Sequence, residues 1–265
     1  TICEVHGYAK QGAAYGYTRV LGYHPLLATR ADTGEVLHAR LRKGSANTAR
    51  GIVRFIDELL ARVARADDGE AIIVRADSGF YRHDVLDRLS RAGVGFSITI
   101  HQRQPVRAAI DAIDERAWQR IDYPDGHAHV AECSYRGRRL IVRRVRNHHG
   151  AQGQLFDTWR YHAFITNLAG SAWELDQRHR AHAVVELSIR DLKAGPLAHL
   201  PSGSFAANSA WLQCAVLAHN LLRWTAALGE HTRDQLIVAK TTRTRLIALP
   251  GRVVNRSGTP TLRLP

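Results

Sequence analysis

One stretch constrains the fold more than any other: Ala71-Ile72-Ile73-Val74-Arg75-Ala76-Asp77-Ser78-Gly79-Phe80. Its β-branched apolar run predicts a buried strand over 71–76. An acid, Asp77, ends the run. A helical pattern over 82–92 and a second β-branched run over 95–100 follow. Strand, helix and strand at this spacing predict an α/β architecture, a mixed sheet flanked by helices. In open α/β sheets, sites form outside the carboxyl ends of the strands, where Asp77 falls. The same residue fits equally well as the cap of the following turn or helix.

Upstream, 17–30 and 35–41 form two extended runs joined by Ala31-Asp32-Thr33-Gly34, a hairpin turn in which Asp32 is a turn residue. Residues 47–65 carry Ile52, Phe55, Ile56, Leu59 and Val63 at helical spacing, with Ser45 or Asn47 available as cap. Past residue 100 the alternation breaks. A helix over 105–117 opens on Pro105. A β-hairpin over 128–135 and 138–146 turns at Arg136-Gly137 and carries Arg138, Arg139, Arg143, Arg144 and Arg146. Arginines on both faces of a ribbon imply that one face is wet or lies on phosphate, so Arg138, Arg143 and Arg144 are candidate nucleic-acid contacts. Residues 161–167 return to a strand. The apolar helix over 205–228 is expected to be buried all round, with Trp211 and Trp224 in the core.

Charge limits the partners. Lys and Arg number 37 against 24 Asp and Glu, a net +13, and the excess is almost all arginine. Guanidinium groups suit bidentate phosphate contacts, so a polyanion is the expected partner. Cys3, Cys133 and Cys214 are far apart with no Cys-x-x-Cys pairing. That argues against a disulfide framework or zinc ribbon and for a reducing, cytoplasmic setting. No apolar run reaches ~18 residues, so no membrane partner is expected.

A second constellation lies in 178–193, which the pattern predicts as one helix. At ~100° per residue, Glu186 and Lys193 fall within roughly 20° of each other. His179 lies roughly 20° to one side and His182 roughly 40° to the other. Val185, Ile189 and Leu192 would pack on the sheet. The commoner meaning of such a stripe is a solvated Glu/Lys face. Carboxylates gathered at strand ends beside cations are also the equipment of two-metal phosphodiester chemistry, which holds two ions ~3.5–4 Å apart.

In spacing, His179-x₂-His182-x₃-Glu186-x₆-Lys193 resembles the Tyr-x₂-Arg-x₃-Glu-x₆-Lys signature of one branch of the DDE transposases of bacterial insertion sequences, with His in place of Tyr and Arg. Arg75-Ala76-Asp77-Ser78-Gly79-Phe80 resembles the second-aspartate motif of that family. Gly22-Tyr23-His24-Pro25-Leu26-Leu27 resembles the region after its first aspartate, and 200–208 resembles a segment of one branch. The resemblance implies a ribonuclease H-like core with a β-rich insertion before the last catalytic helix. Residues 1–100 would be the first part of the core, 101–160 the insertion, 161–228 the second part with the Glu helix, and 229–265 a C-terminal extension. It implies DNA strand cleavage and strand transfer, with Asp77 and Glu186 as catalytic ligands of Mg²⁺, for which Mn²⁺ can substitute. Lys193, Arg190, His182 and His179 would contact DNA, and Trp159 would stack on an unpaired base. The implied partners are double-stranded DNA, as element ends and target, and a second copy of the chain in a homodimer. The family places its first Asp just ahead of a stretch like Thr1-Ile2-Cys3-Glu4. No Asp precedes Thr1, so the chain is expected to be a piece truncated at both ends and inactive alone. The alternatives are a catalytically dead DNA-binding remnant that represses transposition, and a structure-selective nuclease of the same fold.

Overall fold

The computed structural model describes residues 3–6, 9–16, 19–47, 49–66, 69, 71–124, 126–146, 158–181, 183–229 and 238–263. The chain forms two compact units, Thr1–Asn47 with Ala183–Pro265, and Thr48–His182.

The first unit opens with five short strands, β1 (Cys3–Glu4), β2 (Ala14–Tyr15), β3 (Leu21–Tyr23), β4 (Leu26–Thr29) and β5 (Val36–Arg40). They pair as an antiparallel sheet β1-β3-β2 and a hairpin β4-β5. The run expected over 17–30 is therefore split at His24-Pro25. Proline has no N–H to donate to a ladder, and the strands on either side of it join different sheets. The turn between β4 and β5 is built as expected. Asp32 Oδ1 accepts from the Thr33 N–H at 3.0 Å and from Arg30 Nε at 2.8 Å. Gly34 takes a φ of +74°, which a side chain would strain.

The second unit begins with α1 (Ile52–Val63), followed by β6 (Ile73–Ala76), α2 (His83–Arg91) and β7 (Gly95–Thr99). Neither Ser45 nor Asn47 caps α1; Gly51, with φ +74°, precedes its first residue. Strand β6 runs parallel to β7, with α2 as the crossover. Then come α3 (Gln104–Asp111), β8 (Gln119–Ile121), β9 (Ala128–Tyr135), β10 (Arg138–Arg146), β11 (Trp159–Thr166) and α4 (Ala172–Arg180). The helix expected over 105–117 stops at Asp111, and a single tight turn, Glu115–Ala117, follows. Six strands form one mixed sheet in the order β6-β7-β11-β10-β9-β8. The hairpin of β9 and β10 has the expected bounds, and its turn residues Arg136 and Gly137 both have positive φ, 52° and 72°. It is no free ribbon, because β10 pairs with β11 from Arg139 to Arg146. Ile121, Ala128, Val130, Ile141, Val145, Phe164 and Leu175 form a core on this sheet. Strand β6 departs from expectation. It is the edge strand, with Ile73 42% exposed and the rest half-buried.

The first unit resumes with α5 (Ala183–Ala194), α6 (Phe205–Leu228), α7 (Ala239–Thr242), β12 (Arg252–Arg256) and β13 (Thr259–Arg263). Tyr23, Val36, Ala39, Leu41, Leu192, Leu200, Leu212 and Ala215 share its core. Helix α6 buries one stripe, Asn208, Leu212, Ala215, His219 and Arg223. It is not buried all round. Trp211 is 40% exposed, Leu217 55%, Leu221 50% and Trp224 44%. The tryptophans instead lie across the surface and donate their indole N–H groups, Trp211 to the Pro196 carbonyl and Trp224 to Glu35. Among the described residues, no helix is long and apolar enough to cross a membrane.

Candidate functional site

Asp77 lies at a strand end and caps the turn that follows it. It follows the last residue of β6, at the carboxyl end of the parallel β6–β7 pair. Its Oδ1 accepts from the Gly79 N–H at 2.9 Å and so caps the tight turn Ser78–Phe80. The carboxylate is exposed, and no basic side chain among the described residues pairs with it. The strand that carries it is tied down beside it: Arg75 donates to the Arg178 carbonyl, in the last turn of α4, at 2.6 Å.

The helix expected over 178–193 is two helices. Helix α4 starts at a capping box, in which Ser171 and Glu174 satisfy each other's backbone N–H groups, and it ends at Arg180. Helix α5 begins at Ala183. The four-residue stripe therefore does not exist as one face. His179 belongs to α4 and serves the sheet. Its ring stacks on Phe164 with centroids 4.1 Å apart and planes 11° apart. Its Nδ1 lies 2.6 Å from Ser97 Oγ and its Nε2 3.0 Å from Thr99 Oγ1. Half-buried, with both ring nitrogens engaged by sheet hydroxyls, it packs toward the sheet. His182 lies outside the described residues.

Glu186 and Lys193 remain together on α5, in its first and last turns, where the helix dipole favours each charge. Both are exposed, as is Arg190. The opposite face of α5 is pinned by polar groups that sequence reasoning missed. Ser188, fully buried, donates to the Gly34 carbonyl at 2.8 Å, and His219 Nε2 donates to the same oxygen at 3.1 Å. Asp191 accepts from Arg223 of α6 at 3.0 Å and from the Ala239 N–H of α7 at 3.1 Å. Val185 and Ile189, expected to face a sheet, are only half-buried, because the buried face centres on Ser188, Asp191 and Leu192. Burial pushes the nearby Cys3 thiol pKa up, against the pull of the Lys193 charge.

The hairpin arginines divide into two classes. Arg143 and Arg144 are each 8% exposed, so they are not on phosphate. Arg143 pairs with the buried Asp176 at 2.6 Å. Arg144 holds both oxygens of Glu115, at 2.8 and 2.7 Å, and lies over the rings of Trp118 and Trp159 at 4.3 and 4.6 Å. Its hydrogen bonds hold the Glu115 carboxyl below the usual carboxylate range. Partners arrive from α4 on one face and from the 115–118 segment on the other, which is how arginines on both faces of a ribbon become internal. Arg138 instead makes a surface pair with Asp87 at 2.5 Å. Such a pair contributes ~0–1 kcal/mol and can exchange its carboxylate for a phosphate. Trp159 also lines a cavity of about 390 Å³ with Gln102, Arg107, Ile110, Asp111, Arg160 and Tyr161.

For a divalent ion, the donor chemistry of Asp77 and Glu186 is suitable. Both offer exposed carboxylate oxygens, the ligands Mg²⁺ and Mn²⁺ prefer, and among the described residues no cation pairs with either. Among the described residues, no three His, Cys, Asp or Glu side chains converge at metal-holding spacing.

A family model described as "Transposase DDE domain group 1" matches residues 1–265. A chain of the cryo-EM structure of a piggyBac transposase synaptic complex with hairpin DNA superposes with a TM-score of 0.57 at 9% identity. The match covers 92% of this chain and 49% of that one, so this chain spans about half the length of the structure it resembles. No curated protein matches.

Proposed function

The chain belongs to the group 1 DDE transposase domain family, and from that membership we propose that it carries out metal-dependent DNA strand cleavage and strand transfer in the movement of an insertion sequence. Asp77 and Glu186 are the proposed metal ligands. The observation that carries the assignment is the place of Asp77: at the carboxyl end of a parallel strand, exposed, with no basic partner among the described residues of a chain of net charge +13. A bound Mg²⁺ or Mn²⁺ would activate the attacking oxygen and stabilise the leaving one. Asp77 is held for that task by its turn, which fixes one oxygen on the Gly79 N–H and leaves the other for an ion. Glu186 is held by the buried face of α5, and Lys193, Arg190 and Arg138 are the proposed phosphate contacts. Arg143, Arg144 and His179 drop out of that set.

The same reading takes the core as ribonuclease H-like, with 1–100 and 161–228 as its parts, 101–160 as an insertion and 229–265 as an extension. The likeness to a transposase structure supports a core of that class, and the strands of 101–160 join β6, β7 and β11 in one sheet, so the insertion is continuous with the core. Double-stranded DNA in the bacterial cytoplasm is the proposed substrate, supported by the charge excess. Trp159, beside its cavity, is the proposed stacking surface for an unpaired base. A homodimer is supported by the outer face of α6. There Ala210, Cys214, Leu217, Leu221, Trp224 and Leu228 alternate four and three apart, the spacing of a coiled-coil seam, and all are exposed. An identical seam on a second copy is its complement.

Affinity cleavage tests the ligand assignment. Fe²⁺ in place of Mg²⁺, with ascorbate and peroxide, cuts a polypeptide beside the bound ion. Cuts near 77 and near 186 are expected, lost in Asp77→Asn and Glu186→Gln, with duplex binding intact in both. Cuts elsewhere, or cuts unchanged in both variants, would sink the assignment. A second reading, a DNA-binding repressor without cutting activity, is supported by the charge excess, which serves binding without requiring an ion. Intact duplex binding with no ion-directed cut would select it. Strand-transfer products on target DNA separate transposition from plain nuclease action.

A further inference from the structure

We propose that the C-terminal hairpin β12–β13 is a second DNA-binding element, a two-stranded ribbon that enters the major groove of duplex DNA with Arg252, Arg256 and Arg263 facing the nucleic acid. The proposal rests on DNA being the substrate, and it adds a site remote in sequence from Asp77 and Glu186.

The sequence around the hairpin is one-sided. Residues 239–263 hold six Lys or Arg and no Asp or Glu. The two strands pair with each other and with no third strand, in a sheet of their own. Both turn residues, Ser257 and Gly258, have positive φ, 50° and 85°, which gives the tight turn that matches strand twist. The register sorts the side chains. Arg252 lies opposite Arg263, Val254 opposite Thr261, and Arg256 opposite Thr259. Residues directly opposite share a face, so these six form one side, and Val253, Asn255, Pro260 and Leu262 form the other.

The arginine side asks for an anion. All three guanidinium groups are exposed, and none has an acidic partner among the described residues. Arg252 and Arg263 sit directly across from each other, an arrangement that like charges make unfavourable unless an anion lies between them. An isolated two-stranded hairpin is marginal in water, so this one gains order from what it binds. The apolar residues on the other side, Val253 at 70% and Leu262 at 62% exposure, are too few for a hydrophobic interface.

Dimensions select the groove. Strands ~4.8 Å apart, with side chains on either flank, make a ribbon roughly 10 Å wide. That fits the major groove at ~12 Å and not the minor groove at ~6 Å. Arg252 and Arg256 are four residues apart, about 13 Å along the strand, so they can reach phosphates on the two walls of the major groove. The segment leading into the ribbon begins at α7, whose first N–H, that of Ala239, donates to Asp191 of α5.

The test is fluorescence anisotropy on a labelled short duplex across a salt series, with the whole chain. Variants are Arg252→Gln/Arg256→Gln/Arg263→Gln, the same three changed to Lys, and Val253→Ser/Leu262→Ser. The Gln triple is expected to lose at least about tenfold in affinity, and its salt slope to fall by about 2.7, which is ~0.9 for each lost phosphate contact. The Lys triple recovers the slope, which excludes misfolding as the cause, and the apolar-face variant binds as the wild type does. A Gln triple with unchanged slope and affinity overturns the ribbon proposal while leaving the DNA reading standing. Preference for single-stranded over duplex DNA, equal in wild type and Gln triple, also overturns it. A wild-type chain that binds no duplex overturns both.

Discussion

The buried ion pair behind α5 is where the structure makes its most quantitative demand. Asp191 and Arg223 have side chains 3% and 5% exposed, and they meet at 3.0 Å. Burial depresses the Arg223 pKa, and the Asp191 charge opposes that shift. Removing one member of such a pair leaves the other charge desolvated and uncompensated, at a cost of ~3–5 kcal/mol. Asp191→Ala also orphans the Ala239 N–H, so the cost should fall in the upper half of that range. At ~2–4 °C per kcal/mol for a chain of this size, the melting point should drop by about 10–20 °C. Replacing both partners, Asp191→Leu with Arg223→Leu, removes both charges together and should cost far less than the two single changes summed. Thermal and urea melts followed by tryptophan fluorescence would measure this, since Trp211 and Trp224 report on the same unit. A single variant within ~1 kcal/mol of wild type, or a double variant as costly as the sum, would refute the reasoning.

Two further outcomes follow from the same unit. His219 is buried with its Nε2–H on the Gly34 carbonyl, and burial, helped by Arg223 and opposed by that hydrogen bond and by Asp191, holds its pKa below the ordinary value. A depressed histidine keeps its full stabilisation above pH ~6.5 and loses it as pH falls toward the folded-state value, because the unfolded chain takes up the proton first. The wild-type melting point should therefore fall more between neutral and mildly acidic pH than that of His219→Gln; equal slopes would refute this. On α6, Leu217→Lys with Leu221→Lys puts charges into the proposed seam, and light scattering should show the dimer replaced by monomer. A dimer that survives both changes would place the interface elsewhere.

Local signals in the sequence carried the second unit well. The strand-helix-strand of β6, α2 and β7 and the hairpin at 128–146 follow from short-range periodicity and from a turn dipeptide, Arg136-Gly137, which set those elements without help from the rest of the chain. What periodicity could not supply was the number of neighbours an element has. The run 71–76 is as apolar as a central strand, yet it ends up at a sheet edge. Helix α6 is as apolar as a buried helix, yet only one of its faces finds a layer to pack on. Arg143 and Arg144 show the converse. Their burial depends on Asp176, Glu115 and two tryptophans, remote in sequence and brought close by the sheet.

The candidate site was half legible, and the missing half had a signal. Asp77 and the pair Glu186 and Lys193 keep the positions their local patterns imply, one at a strand end and two on one helix face. The single helix from 178 to 193 was an overreach of spacing. The capping box at Ser171 and Glu174 already announces a helix beginning at Ala172. Continued to Ala194, that helix would have to carry Asp176-Gln177-Arg178-His179-Arg180-Ala181-His182, seven residues with no large apolar side chain to hold it against a core. A break there removes the need. It gives α4 its own short buried stripe through Leu175 and Asp176, and it gives α5 another through Ser188, Asp191 and Leu192. His179 then has a nearer task than DNA, filling the space above Phe164 with both nitrogens on sheet hydroxyls. A seven-residue interval within one helix survives such a break, whereas an interval that spans it does not. For that reason Glu186 and Lys193 keep a common face on α5, and His179, on α4, does not share it.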